Sequence, residues 1–312
     1  MKSNLSVILC THNPRKDYIN RVLDALKAQT LPIEKWELLL VDNASDQSLK
    51  LEIDLSWHPY ARHIREDQLG LTPARLRGIR EANGEIIVFV DDDNVLDADY
   101  LEVAQKIGQE YLFLGAWGGQ IRGEFEVPPP EWAKPFLPKL AIREFDRDQW
   151  SNLLHQHQTT PCGAGLCIRK FIAEKYAEQV RSDVKRLNLD RKGQSLFSGG
   201  DTDLAFTACD LGLGTGQFTA LKLAHLMPPQ RLEEGYLLKL IEGSTYSNII
   251  LDSLRGRMPN PLNISWKERL REFYRLLKMG AWDRRFYQAD KRGQIQAIQE
   301  LSSEREMARS RA

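Results

Sequence analysis

The chain has 312 residues, 42% hydrophobic and 28% charged, and its 43 basic residues balance 43 acidic ones. Such a composition suits a soluble globular protein and offers no overall basic charge for binding nucleic acid. No apolar run reaches the ~18 residues of a membrane span, and the N-terminal run "VILC" is too short for a signal segment, so a cytoplasmic protein is expected.

"LSVILC" is short and continuously apolar, the mark of a buried strand. "DYINRVLDALKAQT" is an amphipathic helix with Ile19, Val22, Leu23 and Leu26 on one face. "WELLLVD" and "ARHIRE" are further strands. "TPARLRGIREANG" is a helix with Thr72 at its N-cap, Pro73 at the first helical position and Gly84 past its end. "EIIVFVD" is the next strand, and "DADYLEVAQKIGQEY" the next helix. Continuous apolar strands alternating with helices predict an α/β fold, with a mostly parallel central sheet and helices on both faces.

The middle segment "EFEVPPPEWAKPFLPKLAIREFD" holds five of the fourteen prolines. Proline removes backbone donors, so a long ordered loop or lid is expected there. "GAGLCIR" is a strand, "KFIAEKYAEQV" a helix, and "SGGDTDLAFTACDLG" a turn feeding a helix. "GTGQFTALKLAHLMPPQRL" gives a last strand ending at His225. Beyond residue 231 come "LEEGYLLKLIEGSTYSNIILDSLRG", the basic amphipathic "SWKERLREFYRLLKMG" and a charged tail to Ala312. A basic amphipathic helix can pack on its own domain or lie on an anionic membrane; the first is the plainer expectation.

Three strand ends are polar: "CTHN", "VDNASD" and "VDDDN". In a parallel sheet, ligands bind outside the carboxyl ends of the strands, so these ends should converge on one cleft. Asp91, Asp92 and Asp93 are adjacent like charges at the end of a very apolar strand. A hard divalent cation, with a ligand's phosphates, would offset their repulsion.

The ordered series "SVILCTHN", "VDNASD" and "GLTPARLRGIREANGEIIVFVDDDN" resembles the nucleotide-sugar half of the family 2 glycosyltransferases, which have the GT-A fold. "SGGDTDL" resembles the family's ED motif, with Gly200 at its first acidic position. The likeness covers roughly residues 4–230. It implies a catalytic domain over 1–230, with a nucleotide-sugar half of about 1–120 and an acceptor half of about 121–230; the residue pattern beyond it, outside the likeness, gives a helical extension over 231–312. It implies an inverting, metal-dependent transfer from a nucleotide-diphosphate sugar, a UDP-sugar favoured, to an acceptor hydroxyl in polysaccharide or glycoconjugate synthesis. Thr11, His12, Asn13 and Asp42 would face the nucleotide, Asp42 accepting from a uracil-like edge. Asp91 or Asp92 would hold the ribose, and Arg75 would approach the diphosphate. Asp93, Asp91 and His225 would hold Mn²⁺ or Mg²⁺, and Asp201 would be the base.

Trp132, Gly163 and Gly165 are acceptor-side candidates: an aromatic face stacks on a sugar ring, and glycine lets backbone approach one. Two other classes stay open, a nucleotidyl- or phosphotransferase and a nucleotide-sugar-binding module that has lost its chemistry. No Walker sequence supports the former, and Gly200 is the feature that favours the latter.

Overall fold

The structure, a computed structural model, describes residues 4–191, 193, 196–260 and 266–311. The side chains of residues 268, 269 and 308–311 lie outside that range, as does Ser265, the expected start of the basic helix. Among the described residues nine strands share one sheet: β1 (Leu5–Thr11), β2 (Trp36–Asn43), β3 (Ala61–Glu66), β4 (Ile86–Asp91), β5 (Asn94–Leu96), β6 (Leu114–Phe125), β7 (Gln149–Ser151), β8 (Cys167–Arg169) and β9 (Gly214–Met227). Their order is β3-β2-β1-β4-β8-β6-β9-β5, with β7 also paired to β9. The run from β3 to β4 is parallel. The other half is mixed: β8 is antiparallel to β4 and β6, while β6 and β9 run parallel.

Helices α1 (Lys16–Lys27), α2 (Leu71–Glu81), α3 (Tyr100–Glu110), α4 (Lys170–Ser182), α5 (Val184–Leu187) and α6 (Gly200–Asp210) surround the sheet. Successive strand residues face opposite sides. Leu5, Val7 and Leu9 of β1 therefore join α1 and α3 in one core, while Ile8 and Cys10 join α2, α4 and α6 in the other. Coverage on both faces is why these strands read as unbroken apolar runs. Each fully buried Leu, Ile or Val contributes about 1.5–3 kcal/mol.

Helix α2 starts one residue earlier than the expected cap. Gly70, at φ 141°, is the N-cap, and Thr72 sits buried in the first turn. Its hydroxyl donates to Asp190 at 3.1 Å instead of capping the helix. The proline-rich segment is ordered as a 3₁₀ stretch, Glu131–Leu140, containing Pro135 and Pro138.

The C-terminal part comprises α7 (Glu234–Leu254), α8 (Trp266–Lys278) and α9 (Ala281–Arg311). The helical extension expected beyond residue 231 thus ends, across its charged tail, in a 31-residue helix. It buries Phe286, Ala289, Ala297 and Leu301. At Gly293 it comes so close to α7 that a Cβ would stand 2.3 Å from the Glu242 carbonyl oxygen. Arg255, just past α7, donates to Asp203 of α6 at 2.7 Å and ties these helices to the sheet.

Candidate active site

The carboxyl ends of β1, β2 and β4 open onto a cleft of about 310 Å³. Thr11, His12, Asn43, Arg75, the three aspartates, Gly163, Asp201, His225 and Arg231 line it. Parallel strands end together here, and helix starts and loops close the sides.

At the β1 end, the Thr11 hydroxyl donates to Asp92. His12 Nδ1 lies 2.8 Å from the Asn43 carbonyl oxygen. Asn13, at φ 47°, bonds the turn after β2 through Ser45 and Asp46 and does not line the cleft. Asp42 is also absent from the lining. Its carboxylate accepts the backbone N–H groups of Ser45 and Leu49 at 3.0 and 3.3 Å, and Arg65 at 2.7 Å. Burial works to raise that carboxyl, but these hydrogen bonds outweigh it and hold it below the usual range.

The aspartate triplet divides its work. Burial and neighbouring Asp93 push the Asp92 carboxyl up to about 7, against the pull of Thr11. Burial also pushes Asp91 up, while Arg75 pulls it down. Asp93 is held well below the ordinary value despite its burial, because His225 and Arg231 face it. Arg231 donates to Asp93 Oδ2 at 2.6 Å, and its other nitrogen lies 2.9 Å from His225 Nε2. His225 Nε2 is itself 3.4 Å from Asp93 Oδ1.

Asp93 and His225 are therefore brought together as expected for a cation site, but Asp91 points to Arg75, 4.0 Å away. Among the described residues no group of three His, Cys, Asp or Glu is arranged to hold a metal. The Arg231 guanidinium bonds to both Asp93 and His225 and already offsets the carboxylate. As they stand, these residues do not fit a divalent cation.

Arg75 projects from α2 and is 4% exposed. Burial works to lower its pKa, but Asp190, Asp91 and Asp201 outweigh it and keep the guanidinium charged. Asp201 begins α6, and its Oδ2 accepts the Gly163 N–H at 2.7 Å. A Cβ on Gly163 would stand 2.4 Å from Arg75 Nη2, so glycine is required for this approach.

The remaining candidates fall elsewhere. Gly165, at φ 71°, is packed under Tyr100, whose hydroxyl donates to its carbonyl at 2.6 Å. Trp132 stacks on Trp282 at 4.5 Å between centroids, away from the lining. Two lining residues had no clear sequence signal. Asp190 lies in a polar loop, and Arg231 stands six residues after His225 in the quoted "GTGQFTALKLAHLMPPQRL", where only the histidine is singled out.

Comparisons with known proteins bear on the family and the fold. A family model described as "Glycosyl transferase family 2" matches residues 6–176, more than half of the chain. Glycosyltransferase AglE of Haloferax volcanii is 32% identical over 101 residues, which is 31% of this chain and 33% of that protein. The chain thus spans about a third of that relative's length. A crystal structure of S. aureus TarS superposes with a TM-score of 0.53 at 18% identity, covering 92% of this chain and 49% of that one. TarS 1-349 in complex with UDP gives 0.52 at 16% identity, over 99% and 92%. These likenesses show the GT-A α/β fold.

Proposed function

The chain belongs to glycosyl transferase family 2, and from that premise we propose that it moves a sugar from a uridine-diphosphate sugar to a hydroxyl of a saccharide or glycoconjugate. One observation carries the reading. A single cleft gathers the strand-end aspartates, three arginines (Arg75, Arg191 and Arg231) and Asp201 from distant parts of the chain. The choice of uridine draws on TarS, a protein of the same fold whose crystal structure holds UDP.

The nucleotide enters at the ends of β1 and β2, with its base beside Thr11, His12 and Asn43. Asp91 and Asp92 face the ribose. The diphosphate lies between Arg75 and Arg231, where two guanidinium groups offset its charge. The donor sugar then reaches toward Gly163 and Asp201.

The acceptor oxygen attacks the anomeric carbon on the face opposite the diphosphate. The new C–O bond forms as the bond to the diphosphate oxygen breaks, and that electron pair leaves on UDP. Asp201 takes the hydroxyl proton. One displacement inverts the anomeric centre. The Gly163 and Thr202 N–H groups each donate to one Asp201 oxygen at 2.7 Å. They orient the carboxylate while leaving lone pairs free to accept a proton. A positioned base of this kind contributes about 10²–10⁴-fold.

The test is UDP release from a panel of UDP-sugars and acceptors. Asp201→Asn should lower turnover about 10²–10⁴-fold while leaving UDP binding near the wild-type value. Turnover that survives both Asp201→Asn and Arg75→Ala would sink the mechanism. UDP binding with no transfer to any acceptor would favour a binding module instead.

A second partner belongs to the proposal: an anionic membrane surface, met by α8. Trp266, Leu270, Phe273, Tyr274 and Leu277 recur at helical spacing and are 71, 47, 56, 57 and 58% exposed. Exposed Lys267, Arg271, Arg275 and Lys278 run along one flank of that stripe. An apolar face beside a basic one, with aromatic residues between, matches an interfacial helix better than one packed on its own domain. Among the described residues no helix is long and apolar enough to cross a membrane.

A further inference from the structure

The segment that opens α6 reads Gly199, Gly200, Asp201, with glycine where the motif it resembles carries an acid. The structure fills that position from elsewhere. A Cβ built on Gly200 would stand 2.3 Å from Asp190 Oδ2 and 2.5 Å from Asp190 Cγ. Real Cβ atoms essentially never come under 3.0 Å. The Asp190 carboxylate therefore occupies the space that a side chain at residue 200 would enter.

Asp190 lies in the loop between α5 and α6 and is 6% exposed. Its Oδ1 accepts the Gly200 N–H at 2.9 Å. Its Oδ2 accepts the Thr72 hydroxyl at 3.1 Å and Arg75 Nη1 at 3.3 Å. Among the described residues Arg75 has no comparably close second ion pair, since Asp91 is 4.0 Å away. With Gly163 pressed against Nη2 on one side, Asp190 sets where the guanidinium points.

We infer that Asp190 replaces the missing acid of the motif and is a positioning residue that holds Arg75 against the donor diphosphate. This rests on the nucleotide-sugar reading of the same cleft. The carboxylate has moved from one stretch of chain to another while its location in space is kept. Glycine at 200 is the necessary counterpart, because only the absence of a Cβ leaves room. The pair then answers the question that Gly200 raised: the motif is incomplete in sequence but complete in space.

A reciprocal substitution tests this, read by UDP affinity in calorimetry and by donor KM against kcat. Asp190→Asn keeps a polar group of the same shape and removes the ion pair to Arg75. It should weaken UDP binding about ten- to a hundredfold, with some loss of melting temperature because buried Arg75 loses a charged partner. Gly200→Glu should weaken binding by a similar factor, through collision with Asp190. The double variant Asp190→Ala with Gly200→Glu restores a carboxylate to the same space from the motif's own position. It should bind UDP more tightly than either Asp190→Ala or Gly200→Glu alone, and the recovery should appear in donor KM. A residue that merely stabilised the loop would give no such rescue. Wild-type protein that binds no nucleoside diphosphate would overturn the nucleotide reading and this inference with it. Wild-type binding that Asp190→Asn leaves intact, or a double variant no better than the single ones, would overturn this inference alone.

Discussion

Gly163→Ala offers a sharp test of the cleft's geometry. The added methyl group would lie 2.4 Å from Arg75 Nη2, 3.4 Å from Arg75 Cζ and 3.4 Å from Asp201 Oδ2. Ordinary contact begins at 3.4 Å, so only the guanidinium tip is in real conflict, by one ångström. The tip of an exposed arginine would swing aside at little cost. Arg75 is 4% exposed, ion-paired to Asp190 at 3.3 Å and 5.7 Å from the Phe89 ring centre. It has nowhere to go without loosening that ion pair or the backbone of residue 163. Overpacking of this kind costs about 1–3 kcal/mol of stability. A displacement of ~1 Å in a group that holds substrate can cost about a hundredfold in rate. The assay is donor KM, kcat and melting temperature for Gly163→Ala beside Gly165→Ala. Gly165, at φ 71°, would strain its backbone and meet Tyr100 Oη at 2.4 Å, away from Arg75. Gly163→Ala should therefore raise donor KM about tenfold or more with a modest loss of stability, while Gly165→Ala should mainly lower stability. Wild-type donor KM and kcat in Gly163→Ala would refute the reasoning.

Asp203 is fully buried and paired to both Arg186 and Arg255. Asp203→Ala removes the closest partner of both half-buried arginines, leaving Arg255 on Asp210 at 2.7 Å and Arg186 on Asp183 at 4.0 Å, and should cost about 1–3 kcal/mol, seen as a lower denaturant midpoint. Glu37 accepts from Ser6, Asn83 and Arg62, and although burial works to raise its carboxyl, these bonds hold it below its ordinary 4.5. A depressed folded pKa stabilises above the unfolded value and loses that contribution as pH falls through the folded one. The stability advantage of wild type over Glu37→Gln should therefore be full near neutral pH and shrink below about 4.5, measured by denaturant unfolding across pH. For α8, Leu270→Glu with Phe273→Glu should reduce binding to phosphatidylserine vesicles about tenfold or more in co-sedimentation, with little binding to neutral vesicles in either form. A concentration-dependent dimer abolished by the same pair would assign the face to a second copy of the chain instead.

Much of the molecule is legible locally. The apolar runs that became β1, β2 and β4, the helical stripe of α1 and the polar strand ends are short-range patterns, and short-range patterns decide secondary structure. From them follow the parallel half of the sheet and the edge where its ligand site must lie. A helical extension over 231–312 is expected from the sequence, but the buried stripe of α9 is not singled out there, because it relies on Ala289, Gly293 and Ala297, which pack closely but carry little hydrophobic signal. Trp132 and Asp42 likewise gave a true account of residue type and a poor one of partner. One found Trp282, and the other found Arg65.

The sequence alone determined the fold class and the family resemblance, and marked Asp91, Asp92, Asp93 and Asp201 as site candidates. Only the tertiary structure decided that Arg231 bonds to both Asp93 and His225, and that Asp190 stands where residue 200 has no side chain. The reason is physical. A strand or helix repeats a pattern between near neighbours, whereas a site needs a charge at a point in space, and that charge can come from any segment the fold brings there.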